Sequence, residues 1–284
     1  MNTLTIARFT IQEAISRRLI LAGALLSLVF LGLFALGFGL IYRHDSTLSG
    51  PLRDAQAQAM FGTVMSVLGL YAVNFLAGFL ALFLSVGAIS GEIDSGALHA
   101  VLARPLQRAE FVVGRWVAYA GLIGLYVGLM AGSLLLIPWL IAGYATPDPV
   151  RAMLLMMLSA LVLLTVSLCG SAVLPTLANG VVVFSLFGLA WLAGIIELIG
   201  GVLANEAMLN IGTAVSLLLP SDAIWRGASY YVLSPLYLAG LRSVGNAIPF
   251  VGTSPPATAL VVWALAYPLV VLGGAVLTFS RREL

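Results

Sequence analysis

ISGEIDSGALHAVLARPLQRAEFVVGRWVAY, residues 89–119, is the stretch of this chain in which charge, helix-start signals and a proline lie between two long apolar runs. It carries Glu92, Asp94, His99, Arg104, Arg108, Glu110 and Arg115, in a protein whose charged residues amount to only 8%. Soluble domains average about 25% charged residues, and here 61% of the chain is hydrophobic. The runs on either side are therefore read as membrane spans, and the stretch between them as a polar loop.

A helical span needs about 20 apolar residues. Working outward from the loop, such runs are expected at residues 19–41, 61–89, 117–142, 152–174, 180–203 and 259–279. The expected fold is an all-α membrane protein with six transmembrane helices, and residues 1–284 are read as one transmembrane domain with no separate soluble part. The first run is too long for the h-region of a signal peptide, about 7 to 15 residues, and is kept as a mature span. Residues 2–18 place Leu4, Ala7, Ile11, Ala14 and Ile15 on one side at helical spacing. That predicts an amphipathic helix on the membrane surface, although Ile6 and Phe9 blur the pattern.

Inside the spans, Asn74 is an amide at membrane depth and reads either as a partner for a neighbouring helix or as a substrate contact. Gly124, Gly128 and Gly132 form a small-residue row along the third span, and Pro138 is expected to kink it. Residues 175–179 read as a hairpin turn. Glu197 is an ionisable residue near the end of the fifth span, either at membrane depth and functional or already surfacing. The long segment 204–258 contains apolar pieces at 211–219 and 230–241 that are too short to cross. They are read as interfacial or re-entrant helices, with Ser221 or Asp222 as a cap after Pro220 and Trp225, Tyr230, Tyr231 and Tyr237 at headgroup level.

Composition excludes several functions. All 13 basic residues are arginine. A P-loop needs its lysine on the nucleotide phosphates, so ATP could act on this chain only through another polypeptide. The scattered arginines and a net charge of +2 argue against nucleic acid. The lone Cys169 rules out internal disulfides and cysteine metal clusters. With two histidines, His44 and His99, and no nucleophile–base pair evident, no catalytic, cofactor or metal site is expected in this chain. Arginine counting places Arg8, Arg17, Arg18, Arg104, Arg108, Arg115, Arg281 and Arg282 on one side with both termini, which the positive-inside rule makes the cytoplasm.

Within residues 89–119, Glu92 and Asp94 suit the positive end of a short helix that Ser95 could cap, and Ala97, Leu98, Val101 and Leu102 form its apolar ridge. The helix must stop before Pro105. A second helix is expected to restart near Gln107 and run unbroken into the third span. Such an element is either a solvated loop or a lever that a partner can grip.

At Glu92, Gly96, Leu102, Pro105, Arg108, Gly114 and Arg115 the sequence resembles the E-x-x-x-G, L-x-x-P-x-x-R and G-[KR] pattern in the first cytoplasmic loop of ABC-type export permeases of the second class (ABC-2). That family includes antibiotic exporters and the permease of nitrous oxide reductase maturation. The six-span layout, the N-terminal helix ending in Arg17-Arg18 and the Leu219-Pro220-Ser221-Asp222-Ala223 segment are similar too. The resemblance implies a coupling helix at residues 93–103, bracketed by Glu92 and Arg108, seated in a separate ATPase subunit. It also implies two permease copies with two ATPases, ATP and Mg being held by the partner. The coupling candidates are thus Glu92, Asp94, Gly96, Leu98, His99, Leu102, Pro105 and Arg108. Arg115 stands where lysine is frequent and keeps the charge. The sequence points first to an ATP-driven exporter in the cytoplasmic membrane, and otherwise to an ion-coupled carrier using Glu197.

Overall fold

An apolar chain in a membrane can satisfy its amides only within helices or closed barrels, and this sequence takes the helical route. The structure, a computed structural model, describes residues 3–16, 18–47, 55–94, 108–243 and 251–281. Its helices are α1 (Thr3–Ser16), α2 (Arg18–Thr47), α3 (Ala55–Ser85), α4 (Ser90–Asp94), α5 (Arg108–Ala142), α6 (Pro149–Val173), α7 (Thr176–Val202), α8 (Glu206–Leu218), α9 (Ser221–Tyr230), α10 (Pro235–Ser243) and α11 (Thr258–Arg281). No strand occurs among the described residues. Six helices, α2, α3, α5, α6, α7 and α11, are long and apolar enough to cross a membrane.

The centre of the bundle is α3 and α6. Leu70, Val73, Ala77 and Ala81 of the first, and Ala152, Val162, Leu164 and Leu168 of the second, are fully enclosed. By contrast α2 keeps Leu21, Leu25, Leu28, Leu33, Leu36 and Leu40 exposed, the surface a helix offers to acyl chains. Without a hydrophobic drive between helices in lipid, polar side chains and close contacts hold the bundle together. Ser27 Oγ and Tyr126 OH lie 2.8 Å apart, Trp116 Nε1 donates to Thr165 Oγ1 at 2.8 Å, and Trp191 Nε1 donates to Tyr71 OH at 2.5 Å.

The buried face of α1 is shifted from the one its periodicity predicts. Ile6, Ala7, Thr10 and Ala14 are the buried positions, while Ile15 is 54% exposed. The cause is a neighbour that the periodicity of α1 alone cannot reveal. Gly114 of α5 lets Ile6 approach so closely that a Cβ there would lie 2.9 Å from Ile6 Cβ. The helix thus docks on α5, whose Phe111 ring stacks on Phe279 of α11 with centroids 6.2 Å apart. Of the glycine row in α5, Gly124 meets Met157 of α6, whereas Gly128 and Gly132 have no neighbour within 4 Å of a Cβ. The helix itself runs unbroken from Arg108 through Pro138 to Ala142.

Residues 175–179 are not a turn. The connection is only Leu174 and Pro175, and α7 starts at Thr176, so Asn179 is helical and fully buried. At the other end of the bundle α8 and α9 meet at 103°. Asn205 caps α8 by accepting from Met208 N at 3.2 Å. Neither Ser221 nor Asp222 caps α9; its first turn follows Pro220 and has no side-chain cap. Trp225 does not sit at headgroup level either. It is 1% exposed and lies 5.5 Å from the Tyr71 ring, because α9 turns inward against the central helices.

Candidate functional site

Two polar places stand out, at opposite ends of the bundle. The first is the root of the polar loop. Helix α3 ends at Ser85, residues 86–89 form a turn, and α4 resumes at Ser90. Arg115, about two turns into α5, is 4% exposed and points at this break. Its guanidinium donates to the Ala88 carbonyl and to Glu92 Oε1, the latter at 2.5 Å, and lies 3.7 Å from Glu13 Oε2 of α1. The Phe111 ring covers it, with 4.7 Å from Cζ to the centroid. A carbonyl at a helix end has lost its intrahelical donor, and a buried arginine needs carboxylates to offset its desolvation. One side chain meets both needs and ties α1, α4 and α5 together.

The same turn is held from its other side by α7. Asn179 Nδ2 donates to Val86 O at 2.8 Å and to Ser167 O of α6 at 2.9 Å. Ser90 Oγ and Thr176 Oγ1 lie 2.8 Å apart. The proline before Asn179 makes the sequence read as a longer turn that takes in this residue; the signal to the contrary is an amide four residues after a proline, at the head of an apolar run.

Of the coupling candidates, Glu92 is placed by its pairing with Arg115. Asp94 closes α4 and Arg108 opens α5. Gly96, Leu98, His99, Leu102 and Pro105, with the ridge and the cap at Ser95, lie outside the described residues. Asn74 is buried in α3, 8% exposed.

The second place is at the α8–α10 end. Glu197 of α7 and Asp222 of α9 flank Arg226 of α9: Arg226 Nη2 lies 2.7 Å from Glu197 Oε2, and Nε lies 3.1 Å from Asp222 Oδ2. Burial pushes the Asp222 carboxyl up to about 6; Arg226 opposes this rise and Glu197 adds to it. Gly194 makes the burial possible, since any side chain there would overlap the Asp222 carboxylate. Beside this cluster is a cavity of about 500 Å³ reaching α8, the segment 251–257 and the start of α11. The sequence marks Glu197, and Asp222 as a cap; their shared pairing with Arg226 is set only when α9 folds inward. No group of three or more metal-ligating residues occurs among the described residues.

No curated protein matches the chain. Residues 4–284, nearly its whole length, match the family described as ABC-2 family transporter protein. That family consists of membrane permeases associated with an ABC ATPase, which accords with six apolar spans and a braced loop between the second and third. This multi-pass membrane protein thus belongs to the ABC-2 family of transporter permeases.

Proposed function

We propose that the chain is the permease of an ATP-driven exporter in the cytoplasmic membrane, working as a homodimer with two separate ATPase subunits that hold ATP and Mg. Both termini and the loop 95–107 face the cytoplasm, a reading supported by eight of the 13 arginines falling on that side. The coupling helix is residues 93–103, with Leu98 and Leu102 as the ridge that enters the ATPase. The observation that carries the reading is the brace at the loop's root. Force on the loop reaches α4 through Glu92, and Arg115 passes it to α5 and α1. A six-span bundle with exposed apolar faces leaves the route for cargo between two copies.

The ion-coupled alternative gains no observation in its favour, since Glu197 is engaged by Arg226. The test is co-expression with an ABC ATPase from the same genome. A stable complex is expected, with ATP hydrolysis that requires this chain and is lost when Leu98→Glu and Leu102→Glu are combined. An ATPase that never associates, or transport untouched by the double change, refutes the proposal.

A further inference from the structure

The cavity at the α8–α10 end has a chemistry that the permease reading leaves unassigned. Its volume of about 500 Å³ falls within the range of about 300 to 1,000 Å³ typical of small-molecule sites. Glu197 and Arg226 line its polar end, Ser216 and Ser254 add hydroxyl-bearing side chains, and Leu217 and Trp263 line the apolar remainder. Trp263 is fixed there by donating its indole N–H to Leu217 O at 3.0 Å.

Charge selects among ligands. Two carboxylates, Glu197 and Asp222, share one guanidinium, so the cluster of three side chains carries one net negative charge when all are ionised. An anion entering the cavity would compete with two carboxylates already on Arg226. A metal ion is no better served, because no set of three or more ligands gathers there among the described residues. An ammonium group can approach Glu197, whose side chain remains 28% exposed while paired, without breaking that pair. The apolar walls then require that the ammonium carry a hydrocarbon body.

Depth agrees. Glu197 lies five residues before the end of α7 and Trp263 five after the start of α11, each about 7.5 Å inside its helix at 1.5 Å per residue. In helices that end at the membrane surface, such positions fall where the headgroups of amphipathic molecules meet their chains.

We infer that this cavity binds an amphipathic organic amine, with its ammonium at Glu197 and its apolar part against Leu217 and Trp263. The occupant is either a free amine or an aminolipid headgroup, which share this chemistry. The site needs no ATPase, so it can fail or hold independently of the exporter reading.

The experiment uses the full chain, purified in neutral maltoside detergent, and radiolabelled dodecylamine as the probe, with dodecanol and dodecyl sulfate at equal concentration as competitors. Saturable amine binding that neither competitor displaces is expected, with at least a tenfold loss in Glu197→Gln and no change in Glu206→Gln on the exposed start of α8. Since Glu197→Gln also touches the Arg226 pair, Ser216→Trp, which fills the cavity and leaves the charges in place, should abolish binding at an unchanged Tm. Nanodiscs identify the source. Binding seen in phosphatidylglycerol and suppressed in phosphatidylethanolamine assigns an aminolipid; equal binding in both assigns a free amine. Displacement by dodecanol, binding unaffected by both Glu197→Gln and Ser216→Trp, or no saturable binding in any medium overturns the inference.

Discussion

The pairing of Arg115 with Glu92 can be weighed by a double-mutant cycle. Arg115→Met removes a guanidinium that is 4% exposed and takes its hydrogen bonds from Glu92 and the Ala88 carbonyl. Removing one partner of a buried pair costs about 3 to 5 kcal/mol. Glu92 is partly solvated, with its side chain 21% exposed, which places the change near the lower limit, about 3 kcal/mol. Glu92→Gln keeps the shape and loses one charge-assisted hydrogen bond, about 1.5 to 3 kcal/mol; solvent again favours the lower value. With Arg115 already gone, Glu92→Gln should cost almost nothing further, so the double variant should resemble Arg115→Met alone. The coupling is then about 1.5 kcal/mol, measured from unfolding equilibria in mixed micelles. Arg115→Lys should retain most of the charge term and lose the fork. Effects that add to within about 0.5 kcal/mol, as expected for independent sites, would refute the pairing and with it the brace at the loop's root.

Two further changes probe the other polar groups. Asn179→Ala removes the amide that donates to Val86 O and Ser167 O, and a loss of about 1 to 3 kcal/mol is expected for leaving the Val86 carbonyl of the turn unpaired; chemical unfolding of the purified chain measures it. For Asp222, whose carboxyl is raised from 3.8 to about 6, the folded state holds the proton more tightly than the unfolded state. Its stabilising contribution is therefore complete below about pH 3.8 and is lost as pH rises to about 6, by at most about 3 kcal/mol. Unfolding followed from pH 4 to 7.5 should show this slope, and Asp222→Asn should flatten it.

The spans were legible because length and apolarity are summed along the chain, and the membrane leaves few other ways to bury so many leucines. The unbroken run from residue 108 into the third span was legible for a similar reason: no proline interrupts it before Pro138. What stayed hidden was each fact set by a second element. The buried face of α1 depends on Gly114, about a hundred residues away; the burial of Asn179 depends on carbonyls of the turn after α3 and of α6; Trp225 turns inward because α9 folds back. Glu92 and Arg115 were each conspicuous in the sequence, yet their pairing required knowing that the helix following the loop returns beside the one preceding it.

Residues 86–89 are gripped on two sides by helices that are far apart in the chain. Asn179 of α7 holds the first carbonyl and Arg115 of α5 holds the third. A turn fixed in this way does not report where either helix is. It reports their separation, since moving both together leaves it undisturbed and parting them must release one grip. The short peptide segment thus acts as a strain gauge between two spans, and it stands at the entrance to the loop on which a partner would pull.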